Sequence, residues 1–232
     1  MRVLVTRSPE DSERTAKRLA ALGHEALIAP VTRIVPTGDS MPAETHDALI
    51  VTSAHAVEAL SPVADKSRLV FAVGERTAEV LRGAGFSAVI VGEGDAVSLS
   101  RLIRGRLPSG QALLHVTGRH HKEEPAASLS AAGYRVLSWE VYEAKAVDRL
   151  PEDAANTLRS GKIGAVLHYS RRSADLLIRL AEEAGLASAL VVCSHLCLSA
   201  DVAAAFNGMQ APLLVAGEPT EEALLGLLQS LS

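Results

Sequence analysis

The chain has 232 residues, 48% of them hydrophobic, at a mean hydropathy of +0.19. That is enough apolar material for one large domain or two of about 100–120 residues each. With 23 basic residues against 27 acidic ones, a net charge of −4 and only 3% aromatics, the composition excludes a nucleic-acid binder built on bulk charge and leaves few platforms for stacking bases or a flat macrocycle.

Short β-branched runs alternate with helical patterns throughout, which indicates parallel sheets covered by helices on both faces. A first strand is expected at 2–6. Ser8-Pro9-Glu10-Asp11 follows it with a cap, an N1 proline and acidic first-turn residues, the order a helix start requires. Further strands are expected at 26–29, 48–52, 69–73, 88–91, 112–116, 135–138, 164–168, either 190–192 or 196–198, and 213–216. Glu218-Pro219-Thr220-Glu221-Glu222 is a second helix start, ahead of ALLGLL. Thr32–Pro42 and Ser138–Pro151 read differently, as extended connectors that mix β-branched residues with charge and end in prolines. No apolar run approaches the ~18–20 residues that span a bilayer. The N-terminal MRVLVTRSPED enters a strand without signal-peptide architecture, so a cytoplasmic protein with no membrane partner is expected.

The chain states one α/β pattern twice. LIVTSAHAVEAL (49–60) is matched by VLHYSRRSADLL (166–177), with Ser53 answering Ser170, and VFAVGERTAEVL (70–81) by HLCLSADVAAAF (195–206). VIVGEGDAV (89–97) is matched by LLVAGEPTEE (213–222), and the opening 3–27 by 113–137, where Gly23 answers Gly133. A period this long implies duplication of a whole domain rather than a solenoid. Two similar domains facing each other are expected to form a cleft, a usual place for small molecules to bind. If the connectors cross between domains, one domain holds 1–33 with 148–232 and the other 43–137, joined by 34–42 and 138–147. A cut near Leu107–Gly110 would instead give two consecutive domains, and repetition alone does not choose.

Chemistry-bearing residues gather where strands give way to helices, the edge of a parallel sheet at which ligands bind. Thr52-Ser53-Ala54 holds such a position, and Gly74-Glu75-Arg76-Thr77 repeats it on the next unit, with Gly74 permitting close backbone approach and Thr77 a first-turn donor. Each reads equally as ordinary helix capping. Arg7 and Arg119, each after the first strand of its copy, are candidate anion contacts, and Arg171 or Arg172 could clamp a carboxylate or lie solvated. Only five of the 23 basic residues are lysine, and the arginine fork suits carboxylates and phosphates, although a GC-rich gene yields the same bias. The chain has no G-x-G-x-x-G and no Walker lysine. His120-His121-Lys122-Glu123-Glu124 is a solvated loop rather than a metal patch, and Cys193 and Cys197 are core residues.

Together, VLVTR (3–7), LIVTSAHAVEAL (49–60), AVGERTAEVLRGAGF (72–86), WEVYEAK (139–145) and VAGEPTEEALL (215–225) resemble, in order and spacing, the uroporphyrinogen-III synthase family of tetrapyrrole biosynthesis. The resemblance covers nearly the whole chain through short, diffuse motifs. It implies two similar parallel-sheet α/β domains, the first discontinuous, joined by a two-stranded ladder, which favours the crossing arrangement. It also implies a cyclising lyase, without metal or organic cofactor, that closes the linear polycarboxylate hydroxymethylbilane, inverts its last pyrrole and releases water. Tyr142 matches a family tyrosine that faces the active site, and its phenol could donate to the departing hydroxyl. The acetate and propionate arms would be held by Arg7, Thr52, Ser53, Ala54, Gly74, Thr77, Arg119, Tyr169, Ser170, Arg171 and Thr220. The chain departs from the family pattern at Tyr169-Ser170-Arg171-Arg172, where arginines replace a proline segment, and at Ser199-Ala200-Asp201, where hydroxyl donors are lost. A monomer is expected. The alternative from another class is a two-domain module that captures a small anion without catalysis.

Overall fold

The computed structural model describes residues 1–231. Its strands are β1 (Arg2–Val5), β2 (Glu25–Ile28), β3 (Thr32–Pro36), β4 (Ala48–Val51), β5 (Val70–Ala72), β6 (Val89–Val91), β7 (Ala112–Gly118), β8 (Arg135–Ala146), β9 (Ala165–His168), β10 (Ser194–Cys197) and β11 (Leu213–Val215). The helices are α1 (Pro9–Ala21), α2 (Glu75–Gly83), α3 (Ala96–Arg106), α4 (Ala126–Ala131), α5 (Glu152–Arg159), α6 (Arg171–Glu183), α7 (Ala187–Val191), α8 (Ala200–Ala203) and α9 (Glu221–Gly226). The chain divides into two compact units, Met1–Arg33 with Lys145–Ser232, and Ile34–Ala144.

The first unit is built on a five-stranded sheet in the order β11-β10-β9-β1-β2, and its pairings are parallel. Successive residues of a strand face opposite sides. Leu4 accordingly packs with Val166, Leu177 and Leu180 on one face, and Val3 and Val5 with Leu167, Leu196 and Leu224 on the other. Both faces are covered, which is why the strands read as continuous apolar runs rather than alternating ones.

The second unit carries the order β3-β8-β7-β4-β5-β6. Leu49 and Val51 face one core, Ala48 and Ile50 the other. Setting β3 aside, each strand here holds the place of its sequence repeat in the first sheet: β7 and β8 answer β1 and β2, while β4, β5 and β6 answer β9, β10 and β11. In both sheets the chain reverses its direction of travel at one seam, between β1 and β9 in the first and between β7 and β4 in the second. The matched glycines also do one job. Gly23 and Gly133 have φ of 78° and 88° and follow α1 and α4, where a left-handed residue closes the helix at no steric cost.

The stretches read as connectors are strands in large part. Thr37 N–H donates to Val141 O and Val147 N–H to Val31 O, each at 3.1 Å. The partner number falls as the chain advances, so β3 runs antiparallel to β8. In β8, a strand of 12 residues, β-branched and aromatic side chains continue well past 138, the expected end. Of the two alternatives near 190–198, residues 190–192 lie in and beside α7, where Leu190 is buried in the helical core, and β10 takes Ser194–Cys197.

Polar atoms inside the first sheet form a short chain with one open end. His195 Nε2 donates to Leu190 O at 3.0 Å, so its Nδ1 accepts from His168 Nε2 at 2.9 Å, and His168 Nδ1 has no partner among the described residues. Burial pushes His168 well below its usual 6.5, helped by His195; burial also lowers His195, against the opposing bond to Leu190. The unfolded chain therefore binds protons that the folded one refuses, and stability is lost as pH falls below about 6.5. His168→Leu is expected to flatten that slope in urea unfolding between pH 6.5 and 5. An unchanged slope would place the acid sensitivity elsewhere.

Candidate functional site

In open α/β sheets ligands bind beyond the carboxyl ends of the strands where the strand order reverses. In the second unit that seam brings together the residues after β4 and β7. Ser53 caps the short 3-10 turn Ala54–Ala56, its Oγ accepting from His55 N at 3.3 Å. Thr52 Oγ1 lies 2.9 Å from Nε2 of the buried His115 on β7. His55 in turn meets the Tyr142 ring edge-on at a centroid distance of 5.9 Å. The structure thus gathers Thr52, Ser53, Ala54 and Tyr142 at one edge.

Tyr142 arrives there through an irregularity in β8. Thr117 pairs with Glu140 but Gly118 pairs with Tyr142, so Val141 is the extra residue of a bulge. Bulges re-aim side chains and are common beside active sites. The tyrosine ring then lies directly on Gly118: a Cβ there would stand 2.6 Å from Tyr142 Cζ and 2.9 Å from Oη. Only glycine fits under the ring.

In the first unit the equivalent seam lies after β1 and β9. Ser170 caps α6, accepting from Ser173 N at 3.2 Å, and Thr220 caps α9, accepting from Ala223 N at 3.2 Å. Between them Glu221 collects four donors: Thr15 Oγ1 at 2.6 Å, Tyr169 Oη at 2.7 Å, Arg18 at 2.7 Å and Arg7 at 3.2 Å. Arg7 also lies over the Tyr169 ring, 4.1 Å from its centroid, and pairs with Asp11 at 3.3 Å. Burial works to raise the Glu221 pKa, but the hydrogen bonds from Thr15, Tyr169 and Arg18 and the charge of Arg7 outweigh it and hold the carboxyl low. Burial chiefly, with Glu221 beside it, pushes the Tyr169 phenol upward, so it stays protonated and donating.

Several candidates sit otherwise than the sequence suggests. Arg7 is committed to the chain's own carboxylates, and so is Arg119, with Glu143 at 3.4 Å, Glu140 at 3.5 Å and Asp39 at 3.7 Å. Thr77 is 4% exposed and faces the interior, because the third position of α2 falls on its packed side. Gly74 makes room for the backbone of Gly94, whose Cα would lie 3.3 Å from a Cβ at residue 74. Arg171 is exposed and reaches Asp201 at only 3.9 Å. His121, read as solvated, instead bonds Gly118 O at 2.8 Å and meets the His115 ring edge-on. Cys193 and Cys197 are buried and unbridged, and burial lifts each thiol to about 11.

Sequence reasoning missed Gly118, His115 and Glu221. Glu221 resembled any first-turn acid. His115 did carry a signal, as a polar residue in the apolar run ALLHV.

Hydroxyls and backbone amides gather at two sheet edges, one in each unit, with a phenol close to each: Tyr169 in the first and Tyr142 in the second. Two solved structures share the fold. A uroporphyrinogen-III synthetase from Helicobacter pylori 26695 is 18% identical with a TM-score of 0.68, over 100% of both chains. A mutant uroporphyrinogen III synthase from the extremely thermophilic bacterium Thermus thermophilus is 21% identical with a TM-score of 0.56, over 100% of this chain and 98% of that one. No curated protein sequence matches significantly. The family model described as uroporphyrinogen-III synthase HemD matches residues 13–226, and the chain therefore belongs to the uroporphyrinogen-III synthase family.

Proposed function

We propose that the protein catalyses the reaction of its family, closing hydroxymethylbilane to uroporphyrinogen III with inversion of the last pyrrole and release of water. The family match across residues 13–226 carries this reading. The seam of the second unit supports it, because Thr52, Ser53 and Tyr142 meet there around a helix-like turn.

The substrate is a flexible chain with carboxylate arms, so the protein's main task is to hold a fold of that chain. Backbone N–H groups and hydroxyls at Thr52-Ser53-Ala54 take carboxylates in the second unit, and Ser170 and Thr220 do so in the first. Tyr142 donates to the terminal hydroxyl as its carbon–oxygen bond breaks, and the departing group leaves as water. The resulting electron-poor methylene is attacked by the substituted carbon of the last pyrrole. The older methylene bridge to that carbon then breaks and re-forms at the ring's unsubstituted α carbon, which inverts the ring, and the proton released from that carbon restores the Tyr142 phenol. Positioning accounts for most of the rate on this view. Most single alanine changes in the binding turns should therefore leave measurable activity; complete loss from Ser53→Ala in folded protein would contradict it. Conversion of fresh hydroxymethylbilane, followed by separation of the product isomers, tests the reading itself.

We also propose that the protein acts as a monomer in the cytoplasm. Among the described residues no helix is long and apolar enough to cross a membrane.

A further inference from the structure

His115 lies on β7, opposite Ile50 of β4, and is fully buried. Its Nε2 meets Thr52 Oγ1 at 2.9 Å, and its Nδ1 has no hydrogen-bond partner among the described residues. Two neutral arrangements are open to such a ring. If Thr52 donated to Nε2, the ring proton would sit on Nδ1 as a buried N–H without an acceptor, a rare and costly condition. If Nε2–H donates to Thr52, the unpartnered atom is only a bare ring nitrogen. The second arrangement is the less expensive. Burial, with the His121 ring nearby, lowers the His115 pKa to about 4, so the ring is neutral near pH 7.

A threonine oxygen that receives its hydrogen bond from beneath keeps its own proton for another acceptor. Thr52 is half-buried at the sheet edge, and His115 is its only side-chain hydrogen-bond partner among the described residues. We propose that His115 is a positioning residue for substrate binding: its Nε2–H fixes the Thr52 hydroxyl so that the hydroxyl proton points outward, as a donor to a substrate carboxylate. This rests on the function proposed above. It adds a second layer to the binding turn, in which a buried ring sets the direction of a surface donor.

The first test needs neither a variant nor substrate. Two-bond ¹⁵N–¹H couplings of the imidazoles in the intact protein should show His115 protonated at Nε2 and bare at Nδ1. A proton on Nδ1 would overturn the proposal, whatever reaction the protein performs. The second test is kinetic. His115→Leu is close in size and removes both buried nitrogens, so it should melt no lower than the parent. Its KM for hydroxymethylbilane should nevertheless rise roughly 3–10-fold, the usual worth of one such hydrogen bond, with kcat within about twofold. Thr52→Val should do the same, and the double variant should be no worse than either single one. An unchanged KM in folded His115→Leu, or additive effects in the double variant, would overturn the proposal. Absence of III isomer with the parent protein would instead refute the function while leaving the tautomer measurement standing.

Discussion

Gly118→Ala is expected to remove most of the activity without unfolding the protein, and Tyr142→Phe to remove a similar share. The added methyl would enter within 2.6–2.7 Å of two Tyr142 ring carbons and 2.9 Å of the hydroxyl oxygen, closer than such atoms tolerate. The ring is also met on its edge by His55, so it must shift with its hydroxyl. Overpacking of this kind costs about 1–3 kcal/mol in stability, which a thermal melt will show as a modest loss. The catalytic cost is larger: displacing a reacting group by about 1 Å can reduce rate ~10²-fold. Tyr142→Phe leaves the ring in place and deletes only the donor, so kcat should fall ~10²-fold or more with little change in melting temperature. Because both changes act through one phenol, the double variant should be little worse than Tyr142→Phe alone. Full additivity would mean that Gly118 acts by another route.

The second large effect falls on stability. Glu221→Ala would strip the acceptor from Thr15, Tyr169, Arg18 and Arg7 at once, at a site whose carboxylate side chain is 21% exposed. A fully buried pair broken in this way costs 3–5 kcal/mol, and the partial exposure here brings the expectation to about 2–3 kcal/mol. In a chain of this size that is a fall of roughly 5–10 °C in melting temperature. The pH dependence follows from the direction of the shift. A carboxyl held below its usual value of 4.5 adds stability above that value, and the contribution disappears as pH falls through the folded-state pKa. Glu221→Gln should therefore lose stability at pH 7 and approach the parent only as pH falls through the lowered folded-state pKa of Glu221. A constant difference at every pH would show that shape rather than charge matters at this position.

Glu221 also bears on which groups bind substrate. The seam of the first unit holds what a carboxylate site needs, two arginines with a phenol and a threonine, and the chain's own carboxylate fills it. In the second unit Arg119 is likewise ringed by Asp39, Glu140 and Glu143. If the function proposed above holds, anion recognition would fall to the uncharged donors of the capping turns, which can grip and release a flexible polycarboxylate more readily than a desolvated arginine pair.

Much of this architecture was legible in the chain. The duplication was visible because turn and glycine positions are set by local backbone needs: Ser53 and Ser170 both cap, and Gly23 and Gly133 both end a helix in the left-handed region. The repeats show which strands correspond, but the order of strands within each sheet comes from the structure. What escaped was pairwise and long-range. The bulge at Val141 exists only in the register of β8 against β7, and no local residue announces it. The engagement of Arg7 by Glu221 joins residues 214 positions apart. Thr77 was legible as a helix residue, but its inward direction depends on which face of α2 the sheet claims. Local rules placed the turns, and tertiary pairing decided which side chains at those turns are available.

Purified protein is added in increasing amounts to freshly generated hydroxymethylbilane, the products are oxidised, and the uroporphyrin isomers are separated by chromatography. Unaided closure yields the I isomer. Predominant III isomer is expected, with its share rising in proportion to protein and falling sharply with Tyr142→Phe. Only the I isomer from folded protein, at every amount added, would contradict the proposed function.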